Sequence, residues 1–268
     1  MLIKVRHVTT YRYAEPVRYS IQCLKLTPVP FKGLRILNWE VLSPGQKPLR
    51  FSDGFGNPVH LVTINASHQE VVVEAGGSVE TADNNGVVAG IANPIPPRVF
   101  LRATPLTRAD ASISELARQA KAKDALETLH SLSGRVRDRV EYVPGTTDAH
   151  TEAAEALADG KGVCQDHAHI FIAACRSLGV PARYVTGYLH IEDEDTAEAH
   201  HAWAEAWVDR LGWVGFDVAN RICPTEHYVR LACGLDAGYA APIKGSRRGG
   251  AGERMEVAVA VQQQSAQQ

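Results

Sequence analysis

The chain has 268 residues, 45% of them hydrophobic, which is enough to bury a sizeable core and favours two domains over one. A formal net charge of −2, with Arg247-Arg248 as the only basic cluster, leaves no electrostatic footprint for nucleic acid or an anionic membrane. Met1 to Val8 alternates apolar and charged residues, so no secretory signal is read, and no stretch approaches a membrane span. The five cysteines (Cys23, Cys164, Cys175, Cys223, Cys233) are odd in number and lack a Cys-x-x-Cys pair. That argues against a disulfide framework or a structural zinc site, and a reducing cytoplasm is the expected location.

From Met1 to about Thr81 the sequence predicts strands at Leu2–Tyr13, Arg18–Thr27, Leu34–Leu42, Val59–Ile64 and Glu70–Glu74, separated by Pro, Gly and Asn turns. This pattern predicts an N-terminal β-sandwich with a structural or substrate-shaping part to play. Cys23, between Ile21 and Leu24, reads as a small buried hydrophobe. The proline-dense Ala92–Pro97 suits a stiff connection, which places a domain boundary at 98/99: a β-rich domain over 1–98 and a catalytic domain over 99–268. Beyond it the period changes. Ser112–Ala122, with Asp110 or Ser112 as N-cap, and Asp124–Val140 read as helices. A Gly-, Thr- and Asp-rich loop (Pro144–His150) and a short helix (Glu152–Ala158) follow.

The stretch from Gly162 to Leu178 predicts a helix with a cysteine at its mouth. Cys164, Ala168, Phe171, Cys175 and Leu178 recur at spacings of one helical face, which predicts an amphipathic helix with that face buried. The unpaired N–H groups and dipole of a helix start stabilise a thiolate, so Cys164 stands where a nucleophile would. Cys175, in the helix interior, reads as inert packing.

Pro181–Ile191 then reads as a strand, the acidic run Glu192–Glu198 as an exposed loop, and His200–Asp209 with Trp213–Asp217 as a hairpin. Alternation puts His201, Trp203, Glu205 and Trp207 on one face. The register decides whether Asp217 can serve His201, because a one-residue slip moves a side chain to the opposite face. A two-residue turn at Arg210-Leu211 opposes Asp217 to Ala204, on the wrong face. A three-residue turn, Asp209-Arg210-Leu211 closed by Gly212, opposes it to Trp203, one diagonal step from His201. That turn, or a bulge of equal parity, is expected. The chain then continues through Glu226–Leu231, a Gly-rich loop around Gly245–Gly252, a strand at Arg254–Val261 and a polar Gln262–Gln268 expected to fray.

Cys164, His201 and Asp217 together supply a nucleophile, a base and a carboxylate to orient it, as acyl transfer through a thioester requires. Spacing alone favours the plainer reading, a buried thiol and two unrelated polar residues. Gly162–Phe171, His201–Trp207 and Gly212–Asp217 resemble the signature segments of the bacterial transglutaminase-like superfamily, a papain-related group of cysteine enzymes. His7–Tyr13 with Pro16-Val17, and Asp53–Asn57, similarly resemble the β-rich N-terminal domain of one bacterial branch. The resemblance implies an α+β fold: the N-terminal β-sandwich followed by a papain-like, transglutaminase-like core with its catalytic helix packed on an antiparallel sheet. It implies Cys164 as nucleophile, His201 as base, Asp217 as third member, and a peptide, protein or amide substrate. Hydrolysis is favoured over protein-glutamine crosslinking by resemblance only. Val218-Ala219-Asn220 departs from the family's Pro-Thr-Asn, and Gly234-Leu-Asp-Ala from its Gly-Arg-Asp-Tyr.

The Cys164 backbone N–H is one expected oxyanion donor, with the Gln165 or Tyr142 side chain as the second, and Trp203 as a cleft wall. No cofactor is expected, and a homo-oligomer stays open. A metal cluster of Asp166, His167, His169, His200 and His201 is the competing reading. Against it, His-x-His on a helix points its rings about 200° apart, and the zincin pattern His-Glu-x-x-His is lacking. A non-catalytic interaction module is the other alternative, although such modules usually lose the cysteine or histidine.

Overall fold

A computed structural model describes residues 1–92, 95–191 and 200–264. The acidic run at 192–198, part of the proline-dense segment (Asn93 and Pro94) and the last four residues therefore lie outside the described residues. The chain forms β1 (Leu2–Leu24), β2 (Leu34–Leu42), β3 (Leu49–Ser52), β4 (Pro58–Ile64), β5 (His68–Thr81) and β6 (Val87–Val88). Two short 3-10 turns then lead to α1 (Ala111–Gln119), α2 (Ala125–Arg139), β7 (Glu141–Tyr142), α3 (Ala153–Asp159), β8 (Lys161–Gly162) and α4 (Cys164–Ser177). After these come β9 (Ala182–Leu189), β10 (His200–Val208), β11 (Gly212–Phe216), β12 (Tyr228–Gly234), α5 (Ala237–Ala240), β13 (Ile243–Gly249) and β14 (Glu253–Gln263). The class is α+β.

Two expected strands are one. β1 runs unbroken through Pro16, which cannot donate to a ladder, by shifting register there: the β5 ladder jumps from Arg12 to Val17. The backbone N–H of Ala14 meanwhile donates to the carbonyl of Ala251 at 3.0 Å. Both edges of β1 are thus in use, by β5 and β14 along its first half and by β4 and β13 along its second. The consequence is that seven strands are joined through β1 into one hydrogen-bonded sheet. The buried face of that sheet packs its Ile3, Val5 and Val73 with Tyr188, Val229 and Leu231 of β9 and β12. The glycine-rich segment expected as a loop is in part β13, and β14 extends to Gln263, opposite Ile3, instead of fraying at Gln262. Because β6 pairs with β11 while β13 and β14 pair with β1, sheet membership crosses residue 98 in both directions.

The second sheet, in the order β12-β9-β10-β11-β6, carries α4. Ala202, Ala204 and Ala206 present a shallow face that lets the helix approach closely, and all three share a buried cluster with Ala168, Phe171 and Ala174 of α4. α1, α2 and α3 also contact α4, so it is buried all round from Asp166 to Arg176 rather than along the one face its periodicity marks. Its buried arginine is fully engaged, while Asp166 Oδ1 and His169 Nδ1 are left without a hydrogen-bond partner. Arg176 donates to the carbonyls of Phe100, Ala182 and Leu235 and to Thr107 Oγ1. Cys175 is fully buried, and burial pushes its thiol pKa far up.

The β10–β11 register decides the site. Ala204 opposes Phe216 and Val208 opposes Gly212, which is the three-residue turn over 209–211. Gly212 has φ +89° and Arg210 has φ +72°, so this turn uses the left-handed region at a glycine and at a non-glycine residue. No helix among the described residues is long and apolar enough to cross a membrane.

Candidate active site

Cys164 is the first residue of α4 and is half-buried. Its backbone N–H belongs to the first turn, which has no intrahelical acceptors. The entry is fixed by Asp166, whose Oδ2 accepts from Val163 N at 2.8 Å and from Thr147 Oγ1 at 2.6 Å. Gly162 is required just before it, since a Cβ there would lie 2.7 Å from Asp166 Cβ.

His201 stands near the start of β10, 6% exposed. Its Nε2–H donates to Asp217 Oδ2 at 2.7 Å, and the ring also hydrogen-bonds the Cys164 side chain. With Nε2 committed to the carboxylate, Nδ1 is the nitrogen left for sulfur. Burial opposes a charged imidazole, yet the hydrogen bonds and charges of Asp217 and Cys164 outweigh it and raise the pKa to about 10. A pKa raised on folding stabilises the protein fully below pH 6.5, and that contribution is lost as pH rises through about 10.

Asp217 follows β11 and is fully buried. Its carboxylate is crowded with donors: Oδ2 accepts from His201, from Asn220 Nδ2 at 2.8 Å and from the Tyr228 hydroxyl at 2.6 Å. Oδ1 accepts from the Asn220 backbone N–H at 3.2 Å. Burial would raise its pKa, but these bonds and the imidazolium hold it below the ordinary value. The stability this confers is present above pH 3.8 and is lost as pH falls through the lower folded value.

Cys164, His201, Asn220 and Tyr228 line one open cleft of about 840 Å³, together with Tyr142 and His190. Tyr142 comes from β7, whose pairing with β8 holds it beside the helix start, and its ring stacks on His167 at 6.1 Å. Gln165 is not a cleft wall; its Nε2 donates to the Asp148 carbonyl at 3.3 Å. Trp203 is 2% exposed and lies behind the cleft, nearly parallel to the His201 ring at 6.4 Å, so the expectation that it walls the cleft gives way to a backing position.

The histidines weighed as metal ligands are dispersed. The ring nitrogens of His167 lie against the carbonyls of Val163 and Val140, and His169 Nε2 accepts from Ala237 N at 3.1 Å. Burial lowers the His169 pKa to about 4, which keeps it neutral. Among the described residues, no group of three or more His, Cys, Asp and Glu side chains could hold a metal ion.

Sequence reasoning missed Tyr228, because it arrives from β12 across a loop that carries no periodic signal. Asn220 was visible only as part of an altered tripeptide. Tyr228→Phe removes one of three side-chain donors to a buried carboxylate, so Asp217 is expected to hold His201 less firmly. A fall in kcat/KM of about tenfold with an unchanged fold by circular dichroism is the expected result.

The transglutaminase-like superfamily profile matches residues 114–218, a span containing Cys164, His201 and Asp217. The bacterial transglutaminase-like N-terminal region matches residues 3–80. An uncharacterised Mycobacterium leprae protein is 30% identical over 279 residues, covering 97% of this chain and 98% of its own. An uncharacterised Mycobacterium tuberculosis protein is 27% identical over 270 residues, covering 90% and 86%. In fold, the chain is similar to a candidate cysteine protease from Cytophaga hutchinsonii, at a TM-score of 0.74 and 23% identity over 100% of this chain and 92% of that one. With its central span matched by one profile, its N-terminal sheet by the other, and a relative aligned almost end to end, this chain belongs to the transglutaminase-like superfamily.

Proposed function

We propose that this protein is a cysteine-dependent amide hydrolase acting on peptide or protein substrates, with Cys164 as nucleophile, His201 as acid and base, and Asp217 as the group that orients and charges the imidazole. The observation that carries this reading is the bridging of Cys164 and Asp217 by one histidine on the wall of an open cleft.

In this mechanism the Cys164 thiolate attacks the amide carbonyl and forms a C–S bond. The tetrahedral oxyanion takes hydrogen bonds from the Cys164 N–H and the Tyr142 hydroxyl, which we assign as second donor because Tyr142 lines the cleft and Gln165 does not. His201 delivers its proton to the leaving nitrogen as the C–N bond breaks, leaving a thioester and a free amine. Water then adds with His201 as base, releasing the carboxylic acid and restoring the thiol. Trp203, flat behind the imidazole, limits its rotation. The five free thiols support a cytoplasmic site of action.

Incubation with a peptide amide, a primary-amine competitor and intact-mass detection tests the scheme. Hydrolysis predicts an acyl adduct on Cys164 and a carboxylic acid product; incorporation of the competitor amine instead makes the chain a transamidase, and no adduct removes the thiol mechanism. Asp217→Asn carries a pH signature. The alkaline limb of kcat/KM, set near pH 10 by loss of the His201 proton, is expected to move toward the ordinary imidazole range, and acylation to slow by roughly 10³–10⁴-fold. An unmoved limb would show that the carboxylate does not charge the ring.

A further inference from the structure

On the face of the second sheet turned away from α4 lies a cavity of about 370 Å³ that shares no wall residue with the catalytic cleft. Its walls include Phe55, Val88, Trp207 and Trp213, with Arg183 and Arg230 at its base. Both guanidiniums are almost wholly buried, and one carboxylate answers them: Glu205 accepts from Arg183 Nε at 2.5 Å and from Arg230 Nε at 2.8 Å. Two cations against one anion leave a buried charge of +1. Among the described residues no second carboxylate pairs with either guanidinium, and the Cys233 thiol hydrogen-bonds Arg230. Asp53, before Phe55, is matched by Lys25 at 2.7 Å, and the Cys233 thiol faces the Phe55 carbonyl at 3.7 Å. Asp209 is exposed on the hairpin turn and is not a wall residue. Asn93 and Pro94, which fall in sequence between wall residues Ile91 and Ile95, carry no charge.

The two arginines are not equivalent. Arg183 carries Trp213 on its flat face, ring centroid 4.0 Å from Cζ, and Phe100 at 5.6 Å. Burial lowers its pKa in spite of Glu205, whereas Glu205 raises that of Arg230 in spite of burial. Arg183 makes one hydrogen bond to Glu205, through Nε, whereas Arg230 makes two, through Nε and Nη2, so Arg183 is the under-compensated cation. A buried unmatched charge is costly, and an anion admitted from the cavity would relieve it. Apart from Cys233 and Asn57, whose amide is taken up by the Cys233 backbone, the remaining walls are aromatic, aliphatic or glycine, and the volume matches a small organic molecule.

We propose that this cavity is a second binding site, separate from the catalytic cleft, for a small organic monocarboxylate with an aromatic or aliphatic body, the carboxylate seated on Arg183 and the body against Trp213, Trp207 and Phe55.

Phenylacetate and its neutral isostere phenylacetamide test this on the full-length chain, by titration calorimetry and by the emission of the tryptophans at the cavity wall. Phenylacetate is expected to saturate the site and to change the emission, with phenylacetamide bound at least about tenfold more weakly. Arg183→Gln is expected to weaken phenylacetate by a similar factor. Should that variant not fold, Ala89→Trp, which fills the cavity from a half-buried wall position, is expected to abolish binding while leaving the rate of Cys164 alkylation unchanged. Equal affinity for acid and amide, no saturation below about 10 mM, or unchanged binding in Ala89→Trp would each overturn the proposal.

Discussion

Cys164→Ala is expected to lower amide cleavage by at least about 10⁴-fold with little change in stability. The size follows from the mechanism, because without the sulfur no thioester forms, and what remains is the binding and oxyanion stabilisation offered to a water. The small structural cost follows from position: Cys164 is half-buried at the first residue of α4, and alanine is a better helix former than cysteine. Cys175→Ala is the matched control, eleven residues along the same helix and fully buried. It is expected to leave kcat/KM within about twofold while costing roughly 1 kcal/mol through the cavity it leaves. Iodoacetamide separates the thiols in a second way. Cys23 and Cys223 are also half-buried, but Cys164 alone among the five hydrogen-bonds a histidine charged by a carboxylate. Peptide mapping should find Cys164 alkylated first. Retention of more than about a tenth of the activity in Cys164→Ala, against a loss expected to be of many decades, would end the thiol mechanism.

What could be read from the sequence was local. The helix at 164–177 declared itself through a repeat at 164, 168, 171, 175 and 178, and the hairpin through alternation plus one parity argument about a turn of three residues. Both depend on neighbours within about one turn or one strand, where geometry constrains the side chain. The same periodicity understated α4, because a repeat on one face cannot report that three further helices cover the other. Long-range partners were not legible. Tyr228 reaches Asp217 across a loop, and β13 looks like loop because its residues Gly245, Ser246 and Gly249 have weak strand preference; it is a strand because β1 offers an otherwise unpaired edge. Glu205 is the sharpest case. Alternation placed it correctly on the face of His201 and Trp203, but its partners stand on two other strands, so nothing near it announced an ion triad.

Glu205→Ala is expected to be the most destabilising single change in the second sheet. The carboxylate is fully buried between Arg183 and Arg230, themselves 4% and 3% exposed. Burial alone would raise its pKa, but the two guanidiniums hold it below the ordinary value. Removing one member of such a group leaves the others charged in a medium of low polarisability, at a cost of about 3–5 kcal/mol. For a chain of this size that corresponds to a fall in Tm on the order of 10 °C. Glu205→Gln keeps the shape and some hydrogen bonding while removing the charge, so it is expected to lose less. Arg6→Ala, which breaks the exposed pair with Glu74 on the outer sheet, should cost under about 0.5 kcal/mol. The ordering of the three variants in urea discriminates a charge effect from a packing effect. If Ala and Gln at 205 were equally destabilising, packing would dominate; if Glu205→Ala cost less than about 1 kcal/mol, the triad would contribute little to holding β9, β10 and β12 together. That matters for catalysis, since β10 carries His201 four residues before Glu205, and strands loosened at the triad would free the imidazole from its line between Cys164 and Asp217.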